Sequence, residues 1–167
     1  MATETQITGA DAILKKLRDL SPKLQKKALN AAMRKGMTIV RKSAVAKAKT
    51  FDDSATAQQI AKEIVVRSNA KKARRMGPGT FLVQVGVRGG AKAYRDNARN
   101  RRAGRVGQSY EGGGNVYHWR FKEFGTSKMR AQPFMRPALA DNVDAVTGTV
   151  TAELDKAIDK IIASGQA

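Results

Sequence analysis

Apolar residues recur at three- and four-residue spacing in the first third of the chain, alternate in the middle, and return to helical spacing at the end. Residues 11–20 read as a short amphipathic helix with Ile13, Leu14 and Leu17 on one side. Ser21 then Pro22 mark a restart, since Ser is a good N-cap and Pro suits the first helical position. From 22 to 49, Leu24, Ala28, Ala31, Ala32, Ile39, Val40 and Ser43 repeat at helical period. Lys23, Lys27, Arg34 and Arg41 occupy another face, by default a solvated one. Phe51-Asp52-Asp53-Ser54 breaks this helix and can cap a short one through Ala61, after which 63–67 reads as a strand. Residues 80–88, TFLVQVGVR, give the clearest strand, with Phe81, Val83, Val85 and Val87 on one face. The basic stretch 68–79 reads as a loop, able to join the two strands as a pair.

Alternation continues in the stretch 116–124, where Tyr117, Trp119 and Phe121 point one way and His118, Arg120 and Lys122 the other, as in a strand with one buried face. Gly125 ends the run at a place where positive φ is expected, and Thr126 or Ser127 can bond the backbone of the turn. Trp119, Phe121 and Phe124 read as core. Pro133 and Pro137 fix the path on which Phe134 and Met135 are presented, as an inter-subunit plug. Residues 136–164 read as one long helix, with Leu139, Val143, Val146, Val150, Leu154, Ile158 and Ile161 in step and Gly148 weakening its centre. Residues 89–114 hold few apolar side chains between glycine clusters, so they read as a flexible excursion at the tip of a long β-hairpin formed by 80–88 and 115–124. The predicted architecture is α+β: one domain spanning 1–167, a small, mostly antiparallel sheet with a long hairpin arm, packed against N-terminal and C-terminal helices.

Charge changes the picture more than composition does. The formal net charge is +18 over 167 residues, with 13 basic and 6 acidic residues in 1–66, 12 and 1 in 67–105, and 7 and 7 in 106–167. A field concentrated in the middle attracts phosphate polyanions or an acidic protein surface. In the excursion Lys92, Arg95, Arg99, Arg101, Arg102 and Arg105 stand among Gly, Ala and Asn with Tyr94 and Tyr110; a second basic group is Lys71, Lys72, Arg74 and Arg75. Such an arm fits either a nucleic-acid backbone, without sequence preference, or an acidic groove of a neighbouring subunit. Cysteine is absent, which removes disulfides and thiolate chemistry. The N-terminus lacks a secretory pattern and no apolar run approaches membrane-spanning length, so the expectation is a protein made in the cytoplasm with no membrane partner.

Catalysis is not expected, and neither is a cofactor. His118 is the single histidine and no carboxylate or Ser accompanies it at a recognisable spacing. The adjacent Asp52-Asp53 pair suits a helix cap better than a metal site. Gly86-Val87-Arg88-Gly89-Gly90 lacks the spacing and Lys-Ser/Thr ending of a phosphate-binding loop.

The block Glu123-Phe124-Gly125-Thr126-Ser127-Lys128, followed by Pro133-Phe134-Met135-Arg136-Pro137-Ala138-Leu139, resembles the signature of the tail-completion or neck protein family of long-tailed, lambda-like bacteriophages. The resemblance implies a structural virion protein without enzymatic activity, forming a hexameric or dodecameric ring at the head–tail junction. Its implied partners are other copies of itself, head-completion proteins, tail-tube or terminator proteins, and genomic DNA through non-specific contact. It implies a virion location, with assembly in the host cytoplasm. Two rival readings are a tail terminator capping the tail tube and, in another class, a sequence-independent nucleic-acid-binding packaging protein. The Gly- and Arg-rich segment between Arg88 and Asn115 departs from the short family pattern, so its role is not inherited from the motif.

Overall fold

A computed structural model describes residues 10–52, 59–88, 93–108 and 116–164. The chain divides into two compact units, the first made of Met1–Val40, Val66–Val85 and Ala140–Ala167, the second of Arg41–Val65 and Gly86–Leu139. The class is α+β, with helices at both ends and one two-stranded sheet among the described residues. None of the described helices is long and apolar enough to cross a membrane.

α1 (Ala10–Arg18) and α2 (Pro22–Lys49) fall where the periodicity puts them. The backbone carbonyl of Ser21 accepts from the N–H groups of Leu24 and Gln25, the first bonds of the new helix. The buried line along α2 is stricter than expected: Ala28, Ala32, Gly36, Val40, Ala44 and Ala48 are buried at every fourth position, whereas Ala31 is exposed. Small residues on such a line let a neighbouring element come close. In the first unit α8 (Val143–Ala163) does so at Gly36, where a Cβ would meet Val150 Cγ2 at 2.5 Å and the Val146 carbonyl at 3.2 Å. Leu17 and Leu20, Ala28 and Ala32 of α2, and Leu154, Ile158 and Ile161 of α8 make the core there. Lys16 bridges Asp155 (2.8 Å) and Asp159 (3.0 Å) across the α1–α8 contact.

β1 (Ile64–Ser68) and β2 (Val83–Val87) form the sheet. The Asn69 N–H donates to the Leu82 carbonyl (2.9 Å) and the Arg88 N–H to the Glu63 carbonyl (3.1 Å), a constant residue sum that fixes an antiparallel register. β2 is shorter than the expected strand over 80–88. The basic stretch between the strands is a helix, not a loop: α4 (Ala70–Met76) begins where the Asn69 side chain accepts from the Lys72 N–H at 3.0 Å and ends at Gly77, with φ 140°. The sequence Ala-Lys-Lys-Ala-Arg-Arg-Met is rich in good helix formers, and one buried position, Ala73, anchors it.

In the second unit Asp52 accepts from the N–H groups of Ile60 (3.0 Å) and Ala61 (2.7 Å), so its carboxylate caps α3 (Ile60–Glu63). Asp53 and Ser54 lie outside the described residues. Ile60, Ile64, Val116, Phe134 and Ala138 are buried here, and Phe51 meets Phe134 edge to face at 5.5 Å.

Two larger expectations need correction. The expected strand over 115–124 holds α6 (Trp119–Phe124) instead, so that among the described residues β2 pairs with β1 and not with this stretch as a long hairpin. Tyr117, Phe121 and Phe124 also satisfy a helical period, and the positive φ of Gly125 closes a helix instead of a strand: its N–H donates to the Phe121 carbonyl at 2.9 Å. The expected helix over 136–164 is two, α7 (Met135–Ala140) and α8, separated by a turn at Asp141 and Asn142. Asp and Asn side chains favour turns and helix starts over helix interiors. α8 continues unbroken through Gly148.

Candidate functional site

The signature residues fold into a clasp around one buried acid. Glu123, 1% exposed near the end of α6, takes three backbone N–H groups on its carboxylate: Phe134 (2.8 Å) and Met135 (2.9 Å) on Oε2, Arg136 (3.1 Å) on Oε1. The Arg136 guanidinium adds Nε to Oε1 (3.1 Å) and a terminal nitrogen to the Glu123 carbonyl (3.0 Å). These donors lie at the start of α7, where first-turn N–H groups have no partner within the helix, and Pro137 removes another such donor from the account. Burial pushes the Glu123 carboxyl up; the bonds from Met135, Phe134 and Arg136 outweigh it and hold the group below the ordinary carboxylate range.

The intervening turn is shaped to bring these groups together. Gly125 has φ 75°, and a Cβ there would stand 2.9 Å from the Ala131 nitrogen and 3.0 Å from the Met129 carbonyl oxygen. Thr126 and Met129 exchange backbone bonds of 2.9 and 3.3 Å, the Thr126 hydroxyl accepts from the Lys128 N–H at 3.3 Å, and the Gln132 N–H donates to the Lys122 carbonyl at 2.7 Å. Pro133 is exposed.

Burial of the aromatics is the reverse of the sequence expectation. Phe134, expected as a protruding plug, is fully buried, with Met135 half-buried beside it. Phe124, expected in the core, is 63% exposed, Phe121 is 45% exposed, and Trp119 is half-buried. Tyr117, 61% exposed, meets Phe121 edge to face at 6.3 Å, and the Arg136 guanidinium lies 5.2 Å from the centre of the Phe124 ring. The result is an aromatic ridge that starts in the turn before α6 and runs along it, at positions 117, 121 and 124. Arg120, Lys128 and Arg130 around it are exposed, and the acid of this stretch is the buried Glu123. Helical spacing at 117, 121 and 124 was the signal available for the ridge; nothing local in the sequence pairs Glu123 with residues 134–136.

The basic residues fall in two places. Lys92 and Tyr110 lie outside the described residues. Arg95, Arg99, Arg101, Arg102 and Arg105 are exposed on a segment that closes on itself around α5 (Ala98–Arg102). Asn97 caps α5 by accepting from the Asn100 N–H (2.9 Å), Asn100 donates to the Arg95 carbonyl (2.8 Å), and the Tyr94 N–H donates to the Gln108 carbonyl (2.8 Å). Arg101 pairs with Asp96, and the Arg105 guanidinium lies 5.8 Å from the Tyr94 ring centre. Lys71, Lys72, Arg74 and Arg75 are all exposed on α4. His118 packs edge to face on Tyr117 at 5.9 Å, and no group of acids or histidines suited to a metal ion occurs among the described residues.

No curated protein and no solved structure matches the chain. Over residues 11–125 it matches a family described as "Bacteriophage HK97-gp10, putative tail-component", a span that reaches α6 and Gly125 and stops before α7. The match covers more than half of the chain, which therefore belongs to the HK97-gp10-like family of bacteriophage tail components.

Proposed function

We propose that this tail component is a structural protein without enzymatic activity that forms a ring at the head–tail junction, joining tail to head around the channel used by genomic DNA. The observation that carries the reading is the aromatic ridge. The chain buries Phe134 and even the carboxylate of Glu123, yet leaves Tyr117, Phe121 and Phe124 together in solvent. Clustered exposed aromatics rimmed by arginine are the composition of a protein contact, since rigid rings supply large area at low entropic cost. The clasp fixes α6 and α7 against each other through Glu123, so the ridge is presented pre-organised.

The test is complementation of a phage lacking this gene with the Phe121→Ala/Phe124→Ala double variant. Both side chains are largely outside the core, so the purified variant should melt within a few degrees of the parent, while lysates accumulate separate heads and tails. A normal yield of joined, infectious particles would remove the ridge from the joining role. A second reading, a nucleic-acid-binding packaging protein, is favoured by the absence of any acid in residues 20–51 and 64–95. In the junction reading the same charge faces DNA in the channel.

A further inference from the structure

The two acid-free stretches carry nine and eight basic residues respectively, and the first unit brings parts of both together. On α2, Lys23, Lys26, Lys27, Asn30 and Arg34 follow one helical face, about 16 Å long at 1.5 Å per residue. A groove of about 510 Å³ separates this face from α4, lined by Lys26 and Asn30 on one side, by Ala70, Ala73 and Arg74 on the other, and by the turn over 77–82. It shares Lys26 and Asn30 with a second depression of about 690 Å³ running to Lys23 and Lys27. At the other end the Arg34 guanidinium reaches the Ser68 hydroxyl at 3.5 Å, next to the start of α4.

We propose that the α2–α4 face is a binding surface for the phosphate backbone of double-stranded nucleic acid, read without sequence preference. Among the described residues Lys23, Lys26, Lys27, Lys71, Lys72, Arg74 and Arg75 make no ion pair; Asp155, Asp159 and Glu153 of α8 are taken instead by Lys16, Lys35 and Lys156. Seven cations that make no ion pair among the described residues, on two helices either side of a groove, repel one another until a polyanion neutralises them. A face of about 16 Å matches roughly half a turn of duplex, which presents one charge per about 1.7 Å of axis. The side-chain amide on this face of α2 is not free for a base edge, since Asn30 spends it on the Lys26 carbonyl at 2.9 Å, and the contacts left are exposed Lys and Arg charges suited to phosphate. Stacking of single strands is not provided either, because the aromatic of the groove, Phe81, is half-buried. The assignment deepens the junction reading but is measured independently of it, since binding is read on the purified chain and joining on particles.

The experiment compares two variants of the full chain with equal loss of charge. One carries Lys71→Gln, Lys72→Gln, Arg74→Gln and Arg75→Gln; the other Arg95→Gln, Arg99→Gln, Arg102→Gln and Arg105→Gln. Gln keeps the helix propensity of α4, and circular dichroism checks folding. Binding of a 30-base-pair duplex is measured by anisotropy against salt. The α4 variant should lose about tenfold or more in affinity at low salt and flatten the log–log salt slope by up to about 3.6, at about 0.9 per phosphate contact. The second variant should lose less than about threefold. If a folding defect obscures the α4 variant, Lys23→Gln/Lys26→Gln/Lys27→Gln should show the same loss. Equal loss in both quadruple variants, or a larger loss in the second, would overturn the assignment. So would tighter binding of an oligothymidine of equal length, or equal competition by polyglutamate, which would mark an acidic protein as the partner.

Discussion

Glu123 and Asp96 each meet arginine, and they differ in everything else. Asp96 is exposed and Arg101 grips it with two of its three guanidinium nitrogens, one at 2.8 Å, within a segment where nearly every side chain faces water. Glu123 is buried and meets Arg136 through a single 3.1 Å contact to its carboxylate, but it also takes three backbone N–H groups. An exposed pair contributes at most about 1 kcal/mol because water and salt compete for both charges. A buried acid held by several donors organises the backbone that supplies them, and removing it strands those donors. The better arginine geometry therefore lies at the less consequential site, and burial, not pairing, decides which acid shapes the fold.

The comparison breaks first at Glu123→Ala. Three N–H groups and the Nε of Arg136 lose their acceptor, so unfolding free energy from denaturant titration should fall by about 3–5 kcal/mol. A loss below 1 kcal/mol would put the two acids on the same footing. Gly125→Val comes next. Its φ of 75° and the 2.9 Å approach to the Ala131 nitrogen leave no room for a side chain, so a loss of about 2 kcal/mol is expected, with less soluble protein. Unchanged solubility and melting would show that the turn adapts.

Acid titration sharpens the contrast at a smaller scale. The folded Glu123 carboxyl is lowered relative to the unfolded chain, so its contribution is fully present above the ordinary value near about 4.3 and is lost as pH falls through the lowered folded value. Glu123→Gln should flatten that acid limb of the stability curve; an unchanged limb would assign the acid sensitivity to other carboxylates. The smallest effect is expected from Asp96→Asn, within about 1 kcal/mol of the parent. A larger loss would mean that the α5 segment depends on that pair for its form.

What could be read from sequence tracks how local its cause is. The limits of α2 follow from Ser21-Pro22 and a run of small residues at fixed spacing, and the β1–β2 pair from two short β-branched runs, the second with alternating valines. The positive φ of Gly125 was legible too. The stretch from Tyr117 to Phe124 was not, because its aromatics satisfy a period of two as well as spacing of four and three, and aromatic content favours strand. α4 was hidden by its charge, which resembles a loop until Asn69 is seen as its cap. The exchange of roles between Phe134 and Phe124 has no local cause. Each flanks a turn, and which ring goes inside is set by Glu123 drawing residues 134–136 onto the end of α6.

The most direct measurement of the junction role is a cryo-electron microscopy reconstruction of the neck of intact particles. The chain should occupy a closed ring between the head and the tail tube, with Phe121 and Phe124 covered by protein. Density for the chain as a terminal cap of the tail tube alone, its absence from the neck, or the two rings left in solvent would contradict the account.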